Sequence, residues 1–404
     1  MKVSIIGQGY VGLTISVGAA NAGHQVNGFD IDGSLIQNLT QGETFVPGIL
    51  KSELLELQSS NKLKFSNEPS SFSNSEIIVI AVPTPLDQER NPDLEILSSA
   101  VNMVSKNLKT NSLIINESTS YPGTLRNLIK PIFDKNSTYR FEFASAPERV
   151  DPGNENWNLE NTPRVVAGLT PEATLKVKEF YSSFCKIVIE SSTPEVAEAS
   201  KLFENTFRQV NIALANEFSE IANALGFSAS EAIHAASTKP FGFMPFYPSI
   251  GVGGHCIPVD PRYLTYSAEI AGFDAKFIKL ASQVNFSKPN VIKERIKDYL
   301  GGDLEGKKVQ VAGISYKPDV SDLRESPALD LIKELENDGA IVSWHDPFVN
   351  EYNGKQSVKL SIDIDLGLIV TPHSQIDFSF WKKANVKVID LSANSNNYGW
   401  PKFL

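Results

Sequence analysis

A strand-like segment followed by three closely spaced glycines constrains the fold of this chain more than any other feature. Gly7, Gly9 and Gly12 follow segment 3–6 with the spacing G-x-G-x-x-G, and a helical pattern comes next. The first glycine permits a tight turn, the second lets a pyrophosphate approach the backbone, and the third permits close packing of helix on strand. The helix N-terminus adds unpaired N–H groups and a positive dipole end, which suit a phosphate. The cofactor contacts predicted in this turn are Gly7, Gly9, Tyr10, Val11 and Gly12.

Short apolar segments alternate with helical patterns at both ends of the chain. Unbroken apolar strands between helices indicate a parallel sheet that is covered on both faces. The predicted strands are 3–6, 25–29, 77–82, 113–116, 143–145, 165–167 and 187–189, then 308–313, 341–344, 368–370 and 386–391. Between the two sets, Thr193-Pro194 reads as a helix start and Gly226 as its end. We therefore predict an α/β fold with two doubly wound Rossmann-like domains, 1–191 and 301–404, joined by a long central helix in a helical middle domain, 192–300.

Three side chains beyond the glycine turn are assigned to the cofactor. Asp30 ends the second predicted strand, where a carboxylate accepts hydrogen bonds from the adenosine ribose and repels a 2′-phosphate, so NAD is favoured over NADP. Thr84 and Thr119 follow two further strands, and ligands of open α/β sheets bind beyond the carboxyl ends of strands. Loop prolines and helix caps give similar patterns, so a purely structural role of both threonines stays open.

Composition excludes several classes of partner. Lys+Arg is 37 and Asp+Glu is 47, a net charge of −10, which argues against a general nucleic-acid binder. The apolar run 77–82 is far shorter than the roughly 20 residues of a membrane helix, and the N-terminus has no signal-peptide pattern. Two cysteines cannot build a disulfide framework, so a cytoplasmic protein is expected. The five histidines show no metal-ligand spacing, and we predict no metal.

Two clusters of residues are candidates for the chemistry. Cys256 lies between glycines 251, 253 and 254 and prolines 258 and 261, which fix an irregular backbone around one thiol, whereas Cys185 in its apolar run is interpreted as a core residue. Lys201 and Asn205 share one face of the long helix, and Arg208 follows one turn later. Such polar groups on an apolar helix are costly unless they face a polar site, although a solvated stripe would look the same.

These motifs together resemble the UDP-glucose/GDP-mannose dehydrogenase family over essentially the whole chain. The matching residues are the N-terminal G-x-G-Y-V-G, Val82-Pro83-Thr84-Pro85, Glu117-Ser118-Thr119, Pro147-Glu148, Lys201-x-x-x-Asn205, Gly253-Gly254-x-Cys256-x-Pro258-x-Asp260, Gly313-x-x-Tyr316-Lys317-Pro318-Asp319 and Asp322-x-Arg324-Glu325-Ser326-Pro327. The resemblance implies an NAD-dependent nucleotide-sugar 6-dehydrogenase with two oxidations in sequence.

Within that family, the chain is most similar to the N-acetylhexosamine branch and best fits UDP-N-acetylglucosamine. Pro152 stands where the glucose branch has a second glutamate, and His255 and Val259 replace its usual serine and lysine. Segment 239–248 resembles the N-acetylglucosamine enzymes more than the mannosamine ones. The product would enter surface polysaccharide or glycan precursor synthesis, with UDP-N-acetylmannosamine and UDP-glucose as alternative substrates.

The resemblance also implies roles for particular residues. Cys256 would carry a thiohemiacetal and then a thioester, since a thiolate converts an aldehyde into a species that loses a second hydride. The catalytic set is Cys256, Lys201, Asn205, Glu148, Asp260 and Thr119, with Arg324 added to the cofactor contacts. The predicted substrate contacts are Glu148, Arg149, Lys201, Asn205, Arg208, Phe246, Tyr247, Gly253 and Lys317, the last in a C-terminal UDP-binding domain. Because the long helix is apolar on several faces, a homodimer or higher oligomer is expected.

Two other classes of protein share part of this pattern. A β-hydroxyacid-type dehydrogenase has the same N-terminal fold and long helix but needs neither the cysteine nor the second α/β domain. A non-catalytic NAD-binding scaffold would bind the cofactor without turnover. The combination of cysteine, lysine and carboxylates favours the four-electron enzyme over both.

Overall fold

The structure, a computed structural model, describes residues 1–150, 156–392, 400–401 and 404. The chain forms two compact units. The first unit consists of Met1–Glu204 with Arg262–Gly272, and the second of Asn205–Pro261 with Phe273–Leu404. The three-domain division with boundaries after 191 and 300 stays a prediction.

The strands are short and mostly apolar. In chain order they are β1 (Lys2–Ile6), β2 (Gln25–Phe29), β3 (Leu63–Ser66), β4 (Ile77–Ile80), β5 (Ser112–Asn116), β6 (Phe141–Ser145), β7 (Arg164–Gly168), β8 (Val188–Glu190), β9 (Lys308–Ala312), β10 (Ile341–His345), β11 (Glu351–Tyr352), β12 (Lys355–Gln356), β13 (Leu366–Ile369) and β14 (Val388–Asp390).

The helices connect these strands and fill the middle of the chain. They are α1 (Tyr10–Asn21), α2 (Gly33–Thr40), α3 (Lys51–Ser59), α4 (Glu95–Asn107), α5 (Lys130–Asn136), α6 (Pro171–Ser182), α7 (Pro194–Leu225), α8 (Ala229–Ser237), α9 (Asp260–Ile270), α10 (Lys276–Tyr299), α11 (Pro327–Asn337) and α12 (Ser379–Lys383). A 3-10 turn covers Pro69–Phe72, and a π-helical turn, Leu125–Ile129, leads into α5. No helix among the described residues has the length and hydropathy needed to cross a membrane.

The first unit is built on an eight-stranded sheet of order β3-β2-β1-β4-β5-β6-β7-β8. The first six strands have the order of doubly wound dinucleotide-binding folds. All neighbours are parallel except β6 and β7, which pair antiparallel with Ser145 opposite Ala167. This reversal departs from the all-parallel sheet that the sequence suggests, and it turns the start of β7 toward the carboxyl end of β6.

Alternation along the central strands places a core on each face of this sheet. Ile5, Val79 and Ile115 pack on one face, where α1 and α6 also contribute side chains. Ile6, Ile78 and Ile114 pack on the other face with α4. Both faces are buried, which explains why these strands are apolar at almost every position.

The second unit contains a four-stranded parallel sheet of order β10-β9-β13-β14 and the antiparallel pair β11–β12. Side chains of α10 and α11 cover one face of the larger sheet, and Trp381 of α12 packs on the other. The predicted fold class is therefore confirmed: the molecule is α/β, with parallel-dominated sheets at both ends of the chain and helices α7–α10 between them.

Candidate active site

The glycine turn between β1 and α1 has the geometry that its spacing predicts. Gly7 has φ +92°, and a Cβ there would lie 2.4 Å from the carbonyl oxygen of Ala81. A Cβ at Gly12 would lie 1.8 Å from the carbonyl oxygen of Gly7. At Gly9, by contrast, no described atom lies within 4 Å of the Cβ position. The protein itself therefore excludes side chains at 7 and 12, whereas the space beside Gly9 fits a pyrophosphate.

Asp30 is held in the orientation that a ribose-binding carboxylate needs. It follows β2 and is half-buried. The backbone N–H of Gln8 donates to its Oδ2 at 2.7 Å, and that of Asp32 donates to Oδ1 at 3.0 Å. The first bond ties the carboxylate to the glycine turn and the second ties it to the segment before α2, so the residues present fit an adenine dinucleotide without a 2′-phosphate.

Thr84 and Thr119, the two threonines predicted to contact the cofactor, lie on two loops that are connected by hydrogen bonds of one serine. Thr84 follows β4 and Thr119 follows β5, and both are half-buried. Ser118 accepts from the Val82 backbone N–H at 2.9 Å and donates to the Val82 carbonyl at 2.8 Å. This side chain, which the sequence analysis did not assign, therefore holds the two threonine loops together.

A buried charge cluster lies beyond the carboxyl ends of β5 and β6. Arg164 of β7 donates from Nη1 to Glu117 at 2.9 Å and from Nη2 to Glu148 at 2.8 Å. The hydroxyl of Tyr181 also donates to Glu117, and the Arg164 guanidinium lies 5.0 Å from the centre of the Tyr181 ring. Two carboxylates thus share one guanidinium in a nearly solvent-free environment.

The two carboxylates titrate differently. Burial raises the pKa of Glu117 to about 7, with Arg164 opposing the rise. Burial also acts to raise the pKa of Glu148, but the charge of Arg164 and a hydrogen bond from the Val150 N–H outweigh it and hold that pKa below its ordinary value. Glu148 is therefore ionised at neutral pH.

Lys201 is fixed by the main chain of Glu148. Its Nζ donates to the Glu148 carbonyl oxygen at 2.6 Å, and the side chain is largely buried in the first unit. Arg149, next to Glu148, forms an ion pair with Glu204 at 2.7 Å and donates to the Pro163 carbonyl at 2.8 Å. These contacts use much of the hydrogen-bonding capacity of the Arg149 guanidinium, which was predicted to bind the substrate.

Cys256 lies on a loop in the second unit. Glycines in this loop allow it to pack closely against neighbouring residues. Gly254 has φ +84° and donates its N–H to the Arg324 carbonyl at 3.0 Å. A Cβ at Gly253 would lie 2.7 Å from Tyr316 Cβ and 3.0 Å from the Glu325 carbonyl oxygen. Only glycine allows the loop to pack this closely against Tyr316 and Glu325. Cys256 is half-exposed and lies just before α9.

A cation accompanies the thiol within the same unit. Arg324 is bound by Asp322, with Nη2 to Oδ2 at 2.5 Å, and this hydrogen bond is the main cause of its raised pKa. The charge of Cys256 also raises the pKa of Arg324. A cation near a thiol in general favours the thiolate form. Arg324 was predicted as a cofactor contact, and no local pattern in the sequence indicates its relation to Cys256.

Asn205 and Asp260 form a direct pair in the second unit. Asn205 donates from Nδ2 to Asp260 Oδ2 at 2.6 Å, and Asp260 is buried at the first position of α9. The Asp260 backbone N–H donates to the Cys256 carbonyl at 2.8 Å. Hydrogen bonds therefore connect the Asn205 amide, the Asp260 carboxylate and the loop of Cys256, whose catalytic roles stay predictions.

The turn after β9 repeats the geometry of the glycine turn after β1. Gly313 has φ +83° and donates to the His345 carbonyl at 2.8 Å, as Gly7 donates to that of Phe29 at 2.8 Å. Asp346 after β10 accepts from the Ile314 N–H at 2.9 Å, as Asp30 accepts from Gln8. Asp346, however, is fully buried against His373, at 2.9 Å. This second carboxylate is therefore closed to a ribose.

A cavity of about 160 Å³ lies beside this second turn. Ser315, Thr371 and Ser392 line it from the sheet edge, and Gly251 and Gly253 line it from the cysteine loop. That volume fits part of a nucleotide and not a whole nucleotide sugar. The half-buried Lys317 lies on the same β9–α11 connection.

The remaining predicted substrate residues lie in the second unit. Arg208 and Tyr247 are exposed, and Phe246 packs edge-on against Phe207 with ring centres 5.7 Å apart. Pro152, on which the choice of branch partly rests, lies outside the described residues. No group of three metal-ligating side chains occurs among the described residues, and the absence of a metal stays a prediction.

Comparison with known proteins identifies the class. Three models of the UDP-glucose/GDP-mannose dehydrogenase family match the chain: the NAD binding domain over residues 1–185, the central domain over 195–287 and the UDP binding domain over 310–393. The chain belongs to this family. It is an NAD-dependent nucleotide-sugar dehydrogenase, and thus an oxidoreductase, as its motifs imply.

Individual relatives cover nearly the whole chain. UDP-N-acetyl-D-glucosamine 6-dehydrogenase of Pseudomonas aeruginosa is 34% identical over 87% of this chain and 83% of its own. UDP-N-acetyl-D-mannosamine dehydrogenase of Methanococcus aeolicus is 34% identical over 96% of this chain and 88% of its own. The solved structure of UDP-D-ManNAc dehydrogenase from Pyrococcus horikoshii superimposes with a TM-score of 0.88, at 30% identity, over 100% of this chain and 98% of that one.

Proposed function

We propose that this enzyme oxidises C6 of a UDP-N-acetylhexosamine to the uronic acid, with UDP-N-acetylglucosamine as the preferred substrate. Overall, one primary alcohol, two NAD and one water give one carboxylate, two NADH and three protons. The observation that carries the four-electron reaction is the Cys256 loop, in which glycines present a half-exposed thiol beside the Arg324 cation. The product would serve surface polysaccharide or glycan precursor synthesis in the cytoplasm.

The first unit supplies the cofactor site. NAD, when bound there, supplies the hydride acceptor for each of the two oxidations. Gly7, Gly9 and Gly12 admit its pyrophosphate, and the oriented Asp30 carboxylate binds its adenosine ribose. Thr84 and Thr119, joined through Ser118, line the same edge of the sheet, with Tyr10 and Val11 at the start of α1.

The Cys256 thiolate handles the aldehyde formed by the first oxidation. Its sulfur adds to C6, and the aldehyde oxygen takes a proton to give a thiohemiacetal. Loss of a hydride and of the hydroxyl proton from that adduct leaves a thioester. Water then adds to the thioester carbonyl, the C–S bond breaks, and the thiolate is regenerated with the acid as product.

Polar groups on α7 and α9 move protons and stabilise charge at C6. Lys201 and Asn205 donate to the oxygen that becomes negative during each step. Asp260, oriented by Asn205 at 2.6 Å, and Lys201 serve the proton relay of the first oxidation. Glu148 is the candidate that activates water for thioester hydrolysis.

The C-terminal domain is assigned to the UDP moiety. The family model that matches residues 310–393 is described as UDP binding, and the 160 Å³ cavity lies in that region. Lys317 provides a cation for a phosphate. Arg208, Phe246, Tyr247 and Gly253 remain the proposed contacts to the sugar, whereas the Glu204 ion pair leaves Arg149 a smaller role.

The N-acetyl group is the basis of the substrate preference. Hydrogen-bond donors that bind the acetamide carbonyl are left without a partner when UDP-glucose binds. Each unpaired donor weakens transition-state binding by about 1–3 kcal/mol, which lowers kcat/KM roughly ten- to a hundredfold. UDP-N-acetylmannosamine is the second candidate, because relatives with that name match the chain as well as the N-acetylglucosamine enzyme does.

A substrate panel tests the proposal. NADH absorbance is followed with UDP-N-acetylglucosamine, UDP-N-acetylmannosamine and UDP-glucose, and the NADH formed per sugar consumed is measured. We expect two NADH per sugar and the highest kcat/KM with UDP-N-acetylglucosamine. One NADH per sugar contradicts the four-electron reaction, and equal efficiency with UDP-glucose contradicts the N-acetylhexosamine assignment.

A further inference from the structure

Arg164 is a buried cation that none of the proposed steps uses. It is the first residue of β7, and its side chain is only 3% exposed. β7 runs antiparallel to β6, with Ser145 opposite Ala167, so the start of β7 lies next to the segment that follows β6. If β7 ran parallel to β6, its first residue would lie at the opposite edge of the sheet. The single reversal in this sheet thus brings a positive charge to the edge where the catalytic candidates Glu148 and Lys201 lie.

The Glu148 carboxylate is engaged on both of its oxygens. Oε1 accepts from the backbone N–H groups of Arg149 and Val150, each at 2.6 Å. Oε2 accepts from Arg164 at 2.8 Å. The two backbone bonds fold segment 148–150 around the Glu148 side chain, and the third bond connects this segment to Arg164.

The folded segment in turn holds Lys201. The Glu148 carbonyl oxygen accepts from Lys201 Nζ at 2.6 Å, in surroundings from which solvent is almost excluded. The other arm of Arg164 is held by Glu117, whose second oxygen accepts from Tyr181. A continuous path of short hydrogen bonds therefore runs from Tyr181 and Glu117 through Arg164 and Glu148 to the lysine ammonium.

We propose that Arg164 is a positioning residue of the reaction, which sets the location of the Lys201 ammonium by clamping the Glu148 turn. This inference rests on the proposed function only in that Lys201 acts at C6. It adds a positioning role to the water activation proposed for Glu148, because the main-chain carbonyl of this residue holds Lys201. With three donors on its carboxylate, one acceptor position stays available for a water.

A double-mutant cycle tests the coupling. Arg164→Met and Lys201→Met are made singly and together, and NADH formation is measured in single-turnover mode with enzyme in excess, so that slow variants remain quantifiable. We expect Arg164→Met to lower the single-turnover rate roughly ten- to a hundredfold when Lys201 is present, whereas the steady-state KM for both substrates, measured separately, should change less than about threefold. In the Lys201→Met background the same substitution should cost less than about threefold.

Glu148→Gln separates positioning from water activation and also serves if Arg164→Met does not fold. The single amide oxygen accepts either from the two backbone N–H groups, which turns the NH₂ group toward Arg164, or from Arg164, which turns the NH₂ group toward the backbone. Its effect should likewise vanish in the Lys201→Met background. A Glu148→Gln effect on NADH formation that persists there overturns the inference. Both hydrides leave before the thioester is hydrolysed, so water activation by Glu148 is measured separately as the rate of acid release.

The control is Phe133→Leu, a core change among Phe141 and Phe143 in the same unit. It should lower the melting temperature without lowering the single-turnover rate more than about twofold. Additive effects of Arg164→Met and Lys201→Met overturn the positioning role of Arg164. A Lys201→Met enzyme with the wild-type rate instead overturns the part of the proposed function that places Lys201 at C6, which is a distinct outcome.

Discussion

At the scale of single residues, the two cysteines show how environment separates chemistry from packing. Cys185 is buried, donates to the Leu159 carbonyl at 3.3 Å, and burial raises the pKa of its thiol to about 11. Cys256 is half-exposed on a glycine-shaped loop near the Arg324 guanidinium. The sequence distinguished them by their neighbours alone, because glycine and proline around a thiol indicate a fixed loop and an apolar run indicates a core.

Cys256→Ser should abolish formation of the acid. A serine hydroxyl has a far higher pKa than a thiol and does not supply an anion for addition to the aldehyde, so the rate of acid formation should fall at least about a thousandfold. Cys185→Ser is the matched control and should keep kcat within about twofold while lowering thermal stability. Acid production and NADH are measured for both variants; a Cys256→Ser enzyme with near-normal turnover would contradict the thioester route.

Asp30 should set the cofactor preference. A 2′-phosphate next to this carboxylate costs on the order of 1–3 kcal/mol in a partly buried site, so NAD should be preferred at least tenfold over NADP in kcat/KM. Asp30→Asn removes the negative charge but leaves an oxygen for the Gln8 N–H, and it should shrink the ratio several-fold. Steady-state rates with both cofactors check this, and equal efficiency of the wild-type enzyme would refute it.

At the scale of elements, the sequence predicted those whose signals are local. The long helix was expected from Thr193-Pro194 to just before Gly226, and α7 spans Pro194–Leu225. Strand β3 was missed because Leu63–Ser66 is short and only Leu63 is fully buried, so it carries little apolar pattern. The antiparallel pairing of β7 was not predictable, since an apolar strand has the same composition in either direction.

The buried cluster around Arg164 was also beyond the sequence. Its partners Glu117 and Glu148 lie 47 and 16 positions away along the chain, and no local spacing connects them. The same holds for the relation between Arg324 and Cys256. The sequence shows only that charged residues lie at the ends of predicted strands. It does not show which of these residues form ion pairs with one another.

The repeated turn of the C-terminal sheet leads to a prediction about acid stability. Burial acts to raise the pKa of Asp346, but hydrogen bonds from His373 and from the backbone of Ile314 and Phe348 lower it to about 2. A carboxylate whose folded pKa lies below its unfolded value of about 3.9 stabilises the fold above that pH. This stabilisation is lost as the pH falls from about 4 toward 2.

Asp346→Asn should therefore lower the free energy of unfolding by about 1.5–3 kcal/mol at pH 6, the value of hydrogen bonds to a charged group. The difference from the wild type should shrink as the pH falls below 4. Urea unfolding followed by tryptophan fluorescence measures this, because Trp344 and Trp381 both lie in the same sheet region. Asp363→Asn, at a highly exposed carboxylate, is the control, and a difference that is independent of pH would contradict the assignment.

At the scale of the whole molecule, exposed apolar side chains on α7 bear on assembly. Phe207, Leu214, Ile221 and Leu225 are 42%, 64%, 47% and 71% exposed. Their spacing of seven, seven and four residues places them on one face of the helix. The sequence predicted that α7 is apolar on several faces. In the structure, Ala213, Ala215 and Ala222 are buried, whereas Phe207, Leu214, Ile221 and Leu225 form an exposed apolar stripe.

This stripe should be covered by a second copy of the chain. Burying a side chain of this size contributes about 1.5–3 kcal/mol, so four of them on each partner would support a stable dimer. Sedimentation of the wild type should give a mass of at least twice 44.3 kDa at micromolar concentration. Leu214→Glu should shift the population to monomer, because a charge would be buried without a partner. Leu175→Glu, at an α6 leucine with the same 64% exposure, should leave the assembly unchanged. A wild-type protein that sediments as a monomer, or a Leu175→Glu protein that dissociates as readily as Leu214→Glu, would show that the stripe is not the interface.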